Sequence, residues 1–330
     1  MSRGLGDVYK RQLLYNIVNL IEGNKRHTSV HAAGIVISYK PLYEIIPIKP
    51  NDDINLTEYT MEYLEELGLI KMDFLGIKNL SIIDGVIKDI EQKTNKKLDF
   101  NKIPFDDPKV MKLFEEGQTS GIFQFESEGM KRFLKDLKPK NFIDLCNAIA
   151  LFRPGPASNI PSFIKRKEGK EKIEYLDESL KDILQETYGI IVYQEQIMLI
   201  AQKFAGYTLS EADILRRAMS KKKYDVLKNE EARFIEKSLK NGKNKEIAKE
   251  LFDLILAFAG YGFNKSHSVS YSIVAYKMAY LKYYFPKEFY ANLLSSVIGS
   301  EEKTKEYLNE IKKLGIKILP PVSYTHLTLP

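Results

Sequence analysis

The segment Ile-Lys-Met-Asp-Phe-Leu-Gly at residues 70–76 places a lysine and an aspartate two positions apart, at Lys71 and Asp73. Side chains two residues apart in a strand point to the same face. A carboxylate among large apolar neighbours is costly to leave unpaired, so it should bind a metal ion, pair with a cation or reach solvent. On this motif alone we favour a structural Lys71–Asp73 ion pair, and a metal site stays open as the alternative.

A second group of charged side chains comprises five cations among the eight residues 216–223, at the end of a predicted helix. Arg217 and Lys221 are four residues apart and Arg216 lies beside them, so like charges crowd one helix end. A polyphosphate or nucleic-acid backbone would remove that repulsion, and paired arginines suit phosphate groups. A solvated basic face is the alternative, and the clustering favours an anionic partner.

A glycine-containing loop at residues 260–268 separates two strongly periodic segments and could hold phosphate. Ser266 or Ser268 could cap the helix that follows, whose free N–H groups attract anions. Lys265 and His267 add cationic or hydrogen-bonding groups at the same point. The spacing is not that of a P-loop. A plain structured loop between helices is an equally open interpretation.

Weaker signals come from isolated residues. Arg26 and His31 are candidates for contact with nucleic acid, since His27 and His31 lack the third ligand that a metal site requires. Arg153 either reaches a phosphate or holds its Pro-Gly-Pro loop through backbone carbonyls. Tyrosines in the helix predicted at 269–285 could stack on bases, although packing against neighbouring helices is the commoner role.

Hydrophobic periodicity predicts the elements that must position these residues. Period-two segments predict strands at 34–38, 43–48 and 69–75, with a turn joining the first two. Short apolar runs at 121–125 and 189–193 are further strand candidates.

Most of the remaining chain has the 3.6-residue period of amphipathic helices. Ser210 with Asp213 resembles a capping box that opens the basic helix. The prediction is therefore an α+β protein, mostly α, in which a small mixed unit precedes a large helical one. The helices are expected at 60–68, from about 78 to beyond 90, at 108–116, 128–137, 141–151, from about 194 to 206, from 210 to 219, and near 225–240, 245–259, 269–285 and 287–298.

Composition limits the class of protein. The 330 residues suffice for about two domains with sizeable cores, and the net charge is +6. Residues 216–245 alone carry 11 basic and 4 acidic side chains, a local excess above that of the whole chain. The single cysteine, Cys146, excludes an internal disulfide and a cysteine-based zinc site, which indicates a reducing, cytoplasmic setting. No stretch approaches the roughly 18 apolar residues of a membrane span.

Seven segments occur in the order found in one family, and together they resemble the alpha subunit of bacterial DNA polymerase III, the C-family replicative polymerase. The resemblance extends from Leu13 to Pro321. The segments are HAAGIVIS (31–38), IKMDFLGIKNLSII (70–83), GIFQFESEGMK (121–131), ALFRPGP (150–156), YGIIVYQEQIM (188–198), GYTLSEADILRRAMSKKK (206–223) and FAGYGFNKSHSVSYSIVAY (258–276).

This resemblance implies the end of a thumb at 13–28, the second part of a polymerase-beta-like nucleotidyltransferase palm at 29–78, and most of a helical fingers domain at 79–321. Residues 1–12 and 322–330 continue no pattern and look like translated sequencing adapter, so we expect them to be non-native tails.

Family catalysis uses three palm aspartates and two Mg²⁺ ions, and Asp73 matches the third aspartate. The upstream Asp-x-Asp motif is absent from this sequence. The resemblance therefore implies DNA synthesis from dNTPs on primer-template DNA by the complete enzyme, and an inactive chain in isolation. Lys71 would neutralise phosphate charge. The triphosphate would be gripped by Arg216, Arg217, Lys221, Lys265, Ser266, His267 and Ser268, with Arg153 and His31 as further contributors.

The implied partners are a sliding clamp and a clamp loader, bound through regions outside this sequence, in a bacterial cytoplasm and away from membranes. Two other functions remain open on the residues themselves. A non-catalytic nucleic-acid-binding helical domain would use the basic helix and the tyrosines, with Asp73 structural. A nucleotidyltransferase for a small molecule would need a second carboxylate near Asp73, and the sequence places none there.

Overall fold

The computed structural model describes residues 3–24, 28–52, 54–95, 97–220, 224–258 and 261–319. Helices dominate and strands are few and short, as the predicted α+β, mostly α, class requires. The chain divides into two compact units between Ile77 and Lys78, which we call unit 1 and unit 2. Within these ranges, none of the helices has the length and apolar character needed to cross a bilayer.

Unit 1 contains two separate antiparallel strand pairs, β1 with β4 and β2 with β3. Its fully buried core is small and consists of Ile46, Leu64 and Leu69. The elements are α1 (Arg3–Ile21), β1 (Gly34–Ile37), β2 (Ile48–Asn51), β3 (Ile54–Thr57), α2 (Met61–Glu66) and β4 (Ile70–Asp73).

Residues 3–12, which we expect to belong to a non-native tail, form one continuous helix with 13–21. One expectation for unit 1 is wrong. The apolar run at 43–48 is not a strand paired with β1, because Leu42–Glu44 forms a 3-10 turn and β2 begins only at Ile48. The partner of β1 is β4, more than thirty residues away. Short apolar runs do not reveal their partner.

In the described part of unit 2, the regular secondary-structure elements are all helices. Local signals set its helix starts: the Asp107 side chain accepts from the N–H groups of Lys109 and Val110, and Ser127 caps the next helix. The helices are α3 (Lys78–Thr94), α4 (Pro108–Glu115), α5 (Glu128–Leu137), α6 (Phe142–Leu151), α7 (Ile160–Lys167), α8 (Lys181–Leu184), α9 (Gln194–Ala205), α10 (Leu209–Ser220), α11 (Tyr224–Lys240), α12 (Lys245–Phe258), α13 (Lys265–Tyr284), α14 (Pro286–Ser296) and α15 (Glu301–Lys313).

Two hydrophobic clusters hold unit 2 together. The first packs α3 to α6 against α13, α14 and α15, and the second packs α8 and α9 against α10, α11 and α12. Tyr276 of α13 is fully buried in the first cluster, where its hydroxyl donates to the carbonyl of Pro104. At this position, the packing role considered for the tyrosines is therefore the observed one.

The strand candidates in unit 2 are also wrong. At 121–125 the chain turns, because Gly121 and Gln124 have φ of +73° and +65°, values outside the extended region. The run is apolar because Ile122 and Phe125 are fully buried in the core. In 189–193, only Tyr193 makes a bridge, to Phe263. Periodicity alone does not separate a buried strand from a buried turn.

Candidate active site

The β1–β4 pair positions Lys71 and Asp73. The antiparallel register places Gly34 opposite Asp73 and Val36 opposite Lys71. The Lys71 Nζ donates to Asp73 Oδ2 at 3.1 Å and forms an ion pair with Oδ1 at 2.8 Å. This hydrogen bond lowers the pKa of Asp73 from its ordinary value, so the carboxylate stays ionised. The expectation that the two side chains share one strand face is confirmed.

Its large apolar neighbours predict that Asp73 points inward, and this prediction is wrong. Its side chain is 54% exposed, and the apolar neighbours Met72 and Phe74 are exposed as well. The reason is that, among the described residues, β1 and β4 pair only with each other, so no further strand covers the end of β4. The carboxylate therefore reaches solvent and has oxygen atoms available to a ligand.

His31 joins this pair. Its Nδ1 accepts from the backbone N–H groups of Ala33 and Gly34, at 3.2 and 2.7 Å, and lies 3.7 Å from Asp73 Oδ1. Its Nε2 is 3.5 Å from Lys71 Nζ. The sequence indicates only a weak role for His31, because forty residues separate it from Lys71 and no spacing rule connects them. Arg26, proposed with it, lies outside the described residues.

Gly34 was missed by the sequence reasoning. A Cβ at this position would lie 2.7 Å from Lys71 Cε, 2.8 Å from His31 Nδ1 and 3.0 Å from Asp73 Oδ1. The three polar side chains therefore converge over a residue that has no side chain. The available signal was a glycine that opens a predicted strand, which often marks a close approach.

The described residues supply part of a cation site. Asp73 offers the hard oxygen ligand that Mg²⁺ prefers. No group of three or more His, Cys, Asp or Glu side chains that could hold a metal ion occurs in the described ranges. Asp73 therefore fits as a single ligand of such a site, and further carboxylates would have to complete it.

In unit 2, Asp213 lies between the two arginines of α10. Arg216 binds Asp213 Oδ1 through Nη2 at 2.7 Å, and Arg217 binds Oδ2 through Nη2 at 2.6 Å. These hydrogen bonds, that from Arg216 first, lower the pKa of Asp213. The repulsion expected between the cations is thus offset within the helix itself. Lys221, the third member of the predicted cluster, lies outside the described residues.

The capping box of α10 was placed incorrectly. Thr208 and Glu211 form it: the Thr208 N–H donates to Glu211 Oε2 at 2.8 Å, and the Glu211 N–H donates to Thr208 Oγ1 at 3.3 Å. Ser210 is already inside the helix. Thr208 has the same Ser/Thr-x-x-acid pattern two residues earlier. The sequence therefore contains two candidate capping boxes, and the earlier one forms.

The start of α13 also differs from expectation. Asn264, not a serine, caps it by accepting from the His267 N–H at 2.9 Å. Ser268 is fully buried and donates to the carbonyl of Cys146 at 2.6 Å, so it is unavailable to a ligand. Ser266 is exposed. His267 is exposed and packs against the ring of Tyr271, with centroids 4.0 Å apart.

Two glutamates bind the backbone N–H and the side-chain ammonium of Lys265. Its backbone N–H donates to both oxygens of Glu195 at 3.0 Å, and its Nζ binds Glu186 at 2.5 Å. Gln194, beside Glu195, donates to the carbonyl of Gly262 at 3.1 Å. The first turn of α9 therefore holds the start of α13, a relationship across about seventy residues that local spacing does not reveal.

The Gln194 side chain also reaches the basic helix. Arg216 Nη1 donates to Gln194 Oε1 at 3.4 Å. The start of α9 thus contacts both Arg216 and the start of α13.

Arg153 follows the second of its two open interpretations. Its guanidinium donates to the carbonyls of Ala150 and Tyr261, the latter at 2.8 Å, and lies 4.2 Å from the centroid of the Phe263 ring. Burial lowers the pKa of this arginine. It therefore holds the Pro-Gly-Pro loop against the segment that leads into α13.

Comparisons with known proteins connect both units. Residues 6–76 match the bacterial DNA polymerase III alpha NTPase domain, and residues 79–242 match the bacterial DNA polymerase III alpha subunit finger domain. DNA polymerase III subunit alpha of Staphylococcus aureus strain COL is 50% identical over 313 residues, which is 95% of this chain and 29% of that protein. The subunit from Bacillus subtilis strain 168 is 50% identical over 311 residues, 94% of this chain and 28% of that protein.

Both domain matches and both relatives are of one class, bacterial DNA polymerase III alpha subunits. This chain belongs to the bacterial DNA polymerase III alpha subunit family. It spans less than a third of the length of the relatives that it matches.

Proposed function

We propose that this chain forms part of a template-directed DNA polymerase that transfers deoxynucleotides from dNTPs to a primer 3′-hydroxyl. In this proposal residues 13–28 end the thumb, 29–78 are the second part of the palm and 79–321 are fingers. The observation that carries it is the exposed Asp73 carboxylate, held by Lys71 within a segment that matches the polymerase family.

Asp73 would act as one ligand of the catalytic metal site. Its exposed oxygens and lowered pKa keep a negative oxygen donor ready near neutral pH. When bound, two Mg²⁺ ions would activate the primer hydroxyl and stabilise the leaving pyrophosphate. Lys71, at 2.8 Å from the carboxylate, would offset negative charge on a phosphate placed there.

The fingers would bind the triphosphate through side chains of α10 and α13. Arg216, Arg217, Lys265 and His267 keep partly exposed side chains that could turn to a phosphate, the arginines by leaving Asp213 and Lys265 by leaving Glu186. Lys221 and Ser266 stay in the proposed set. Ser268 is no longer a member of the set, because its hydroxyl is buried and donates to the carbonyl of Cys146. Arg153 would not bind phosphate itself but would hold the segment that leads into α13, through its hydrogen bond to the carbonyl of Tyr261.

The proposed substrates are primer-template DNA and dNTPs, in a bacterial cytoplasm. A sliding clamp and a clamp loader would be reached through parts of the polymerase outside this chain. Among the described residues, Asp73 is the one carboxylate assigned to the metal site, so we expect no primer extension when the isolated chain is mixed with Mg²⁺, dNTPs and primed DNA. Extension by the isolated chain would contradict this part of the proposal.

The decisive experiment places this chain in the Bacillus subtilis alpha subunit in place of the matching segment. The chimera should extend primers, and Asp73→Asn should reduce the rate by at least about a thousandfold because a metal ligand is lost. The matched control is Asp84→Asn, since Asp84 also pairs with a lysine, Lys88, at 2.7 Å on an exposed surface.

Two results would oppose the proposal. A folded chimera that cannot extend primers would favour a non-catalytic nucleic-acid-binding role for the helical unit. Extension that survives Asp73→Asn as well as it survives Asp84→Asn would remove Asp73 from the metal site.

A further inference from the structure

His31 has a fixed orientation that the proposed roles of Asp73 and Lys71 do not use. Its Nδ1 accepts backbone N–H groups at 2.7 and 3.2 Å, so the lone pair of this nitrogen is engaged by the protein. In the neutral ring the proton is then on Nε2. The His31 side chain is 53% exposed, so a ligand can approach the ring.

The Nε2–H group faces another donor. Lys71 Nζ is 3.5 Å from Nε2, and the ammonium carries only donors. Two donors gain nothing from each other, and both gain from an acceptor placed beside them. Lys71 already donates to Asp73, so the missing acceptor must come from outside these three side chains. A negatively charged oxygen satisfies both donors best.

Gly34 makes this convergence possible. A Cβ there would come within 3.0 Å of atoms in all three side chains. The contacted atoms of Lys71 and Asp73 are near the ends of flexible side chains, so a methyl group would displace the polar groups before it disturbed the strand. Gly34 is thus a positioning residue for the arrangement.

We propose that His31 is a catalytic residue whose Nε2–H donates a hydrogen bond to a non-bridging phosphate oxygen of the nucleotide held at Asp73. This inference rests on the proposed function and deepens it by adding a substrate contact. The primer 3′-oxygen forms the new bond to the α-phosphorus, the bond from that phosphorus to the bridging oxygen breaks, and pyrophosphate leaves with the electron pair. The primer hydroxyl proton passes to solvent, and His31 keeps its own proton.

The test separates the two nitrogens of His31 by substitution in the chimeric polymerase. Asparagine can place an acceptor near Nδ1 and so preserve the backbone contacts, whereas glutamine can place a donor near Nε2. We expect His31→Ala to reduce the single-turnover incorporation rate by about 10- to 100-fold, with less than about a threefold change in the half-saturating dNTP concentration. Glutamine should restore most of the rate and asparagine should not.

The variant Gly34→Ala provides an independent test of the positioning role. We expect a folded protein, judged by circular dichroism and melting, whose incorporation rate falls by at least about tenfold. Gly76→Ala is the matched control, because no atom lies within 4 Å of a Cβ at that position. A normal rate in Gly34→Ala would contradict the positioning role.

Failure of this inference is distinguishable from failure of the proposed function. If Asp73→Asn abolishes extension while His31→Ala has no effect, the function stands and the inference falls. If asparagine restores the rate and glutamine does not, His31 serves only the backbone turn. Long-range ¹H–¹⁵N spectra of the isolated chain add a readout without activity: the neutral ring should be the Nε2–H tautomer, and an Nδ1–H tautomer would overturn the inference.

Discussion

Glu195 accepts the backbone N–H of Lys265 through both carboxylate oxygens, each 3.0 Å away. The first residue of α13 is therefore bound by a carboxylate of the protein itself. A helix N-terminus attracts anions through its free N–H groups and its dipole. Here an internal anion already occupies that position, so phosphate binding near α13 would depend on side chains such as His267.

Removal of this internal anion should weaken unit 2 and open the helix start. We expect Glu195→Ala to lower the free energy of unfolding by about 1–2 kcal/mol, measured by urea denaturation of the isolated chain. Tripolyphosphate should then stabilise the variant more than the parent. Glu250→Ala, on the exposed surface of α12, is the control and should change neither quantity. An equal response of parent and variant to tripolyphosphate would contradict the argument.

The two arginines of α10 should act on nucleotide binding. In the chimeric polymerase, replacing both Arg216 and Arg217 with alanine should raise the half-saturating dNTP concentration by about tenfold or more, because two phosphate donors are lost. Steady-state primer extension measures this. Arg132→Ala removes an exposed arginine from α5 as the control. An unchanged dNTP requirement with a weaker salt dependence of DNA binding would instead indicate contact with the duplex.

Glu211 should make the stability of unit 2 dependent on pH. Hydrogen bonds from Lys237 and the Thr208 N–H lower its pKa to about 2. Its stabilising effect is therefore complete above the ordinary value of 4.5 and is lost as the pH falls towards 2. Glu211→Gln should be less stable than the parent at neutral pH, and the difference should shrink across this interval.

Urea midpoints at a series of pH values test the Glu211 prediction. The control is Glu246→Gln, which removes an exposed glutamate from the first turn of α12. A difference between parent and Glu211→Gln that stayed constant from neutral pH down to the acid limit would show that the ion pairs of Glu211 do not contribute to folding.

Lys282 should be among the most sensitive positions of unit 2. Its ammonium is buried and donates to the carbonyls of Gln118 and Ser120 and to Glu310, at 2.8, 2.9 and 2.8 Å. Lys282→Met leaves these acceptors without a donor and should cost about 3–5 kcal/mol in urea denaturation. Adding Glu310→Gln should recover part of the loss. Lys240→Met breaks the exposed pair with Glu236 and should cost less than about 1 kcal/mol. Equal losses at Lys282 and Lys240 would contradict this prediction.

Local signals explain what could be predicted from the sequence. The helix Glu128–Leu137 was predicted with its observed bounds from its apolar residues, and the structure adds that Ser127 caps its start. The shared face of Lys71 and Asp73 follows from strand alternation alone. These features depend on a few neighbouring residues, which a single sequence displays.

Long-range contacts explain what could not be predicted. Glu195 meets Lys265, and His31 meets Lys71, through folding of distant segments. The turn at Gly121 was misread because apolar residues there are buried without being extended. Ser268 was chosen for its type, yet its burial is decided by the packing of α6 against α13.

The two-stranded ribbon of β1 and β4 has a dynamic consequence. Each strand has four residues, and Ile35, Ile37, Ile70 and Met72 are all substantially exposed. A two-stranded ribbon that is this short and solvent-exposed opens readily. Its amide hydrogens should therefore exchange with solvent far faster than those of the buried helices. The closed lifetime of this ribbon also limits how long His31, Lys71 and Asp73 stay assembled. The proposed catalytic groups thus lie in a part of the described chain that opens easily.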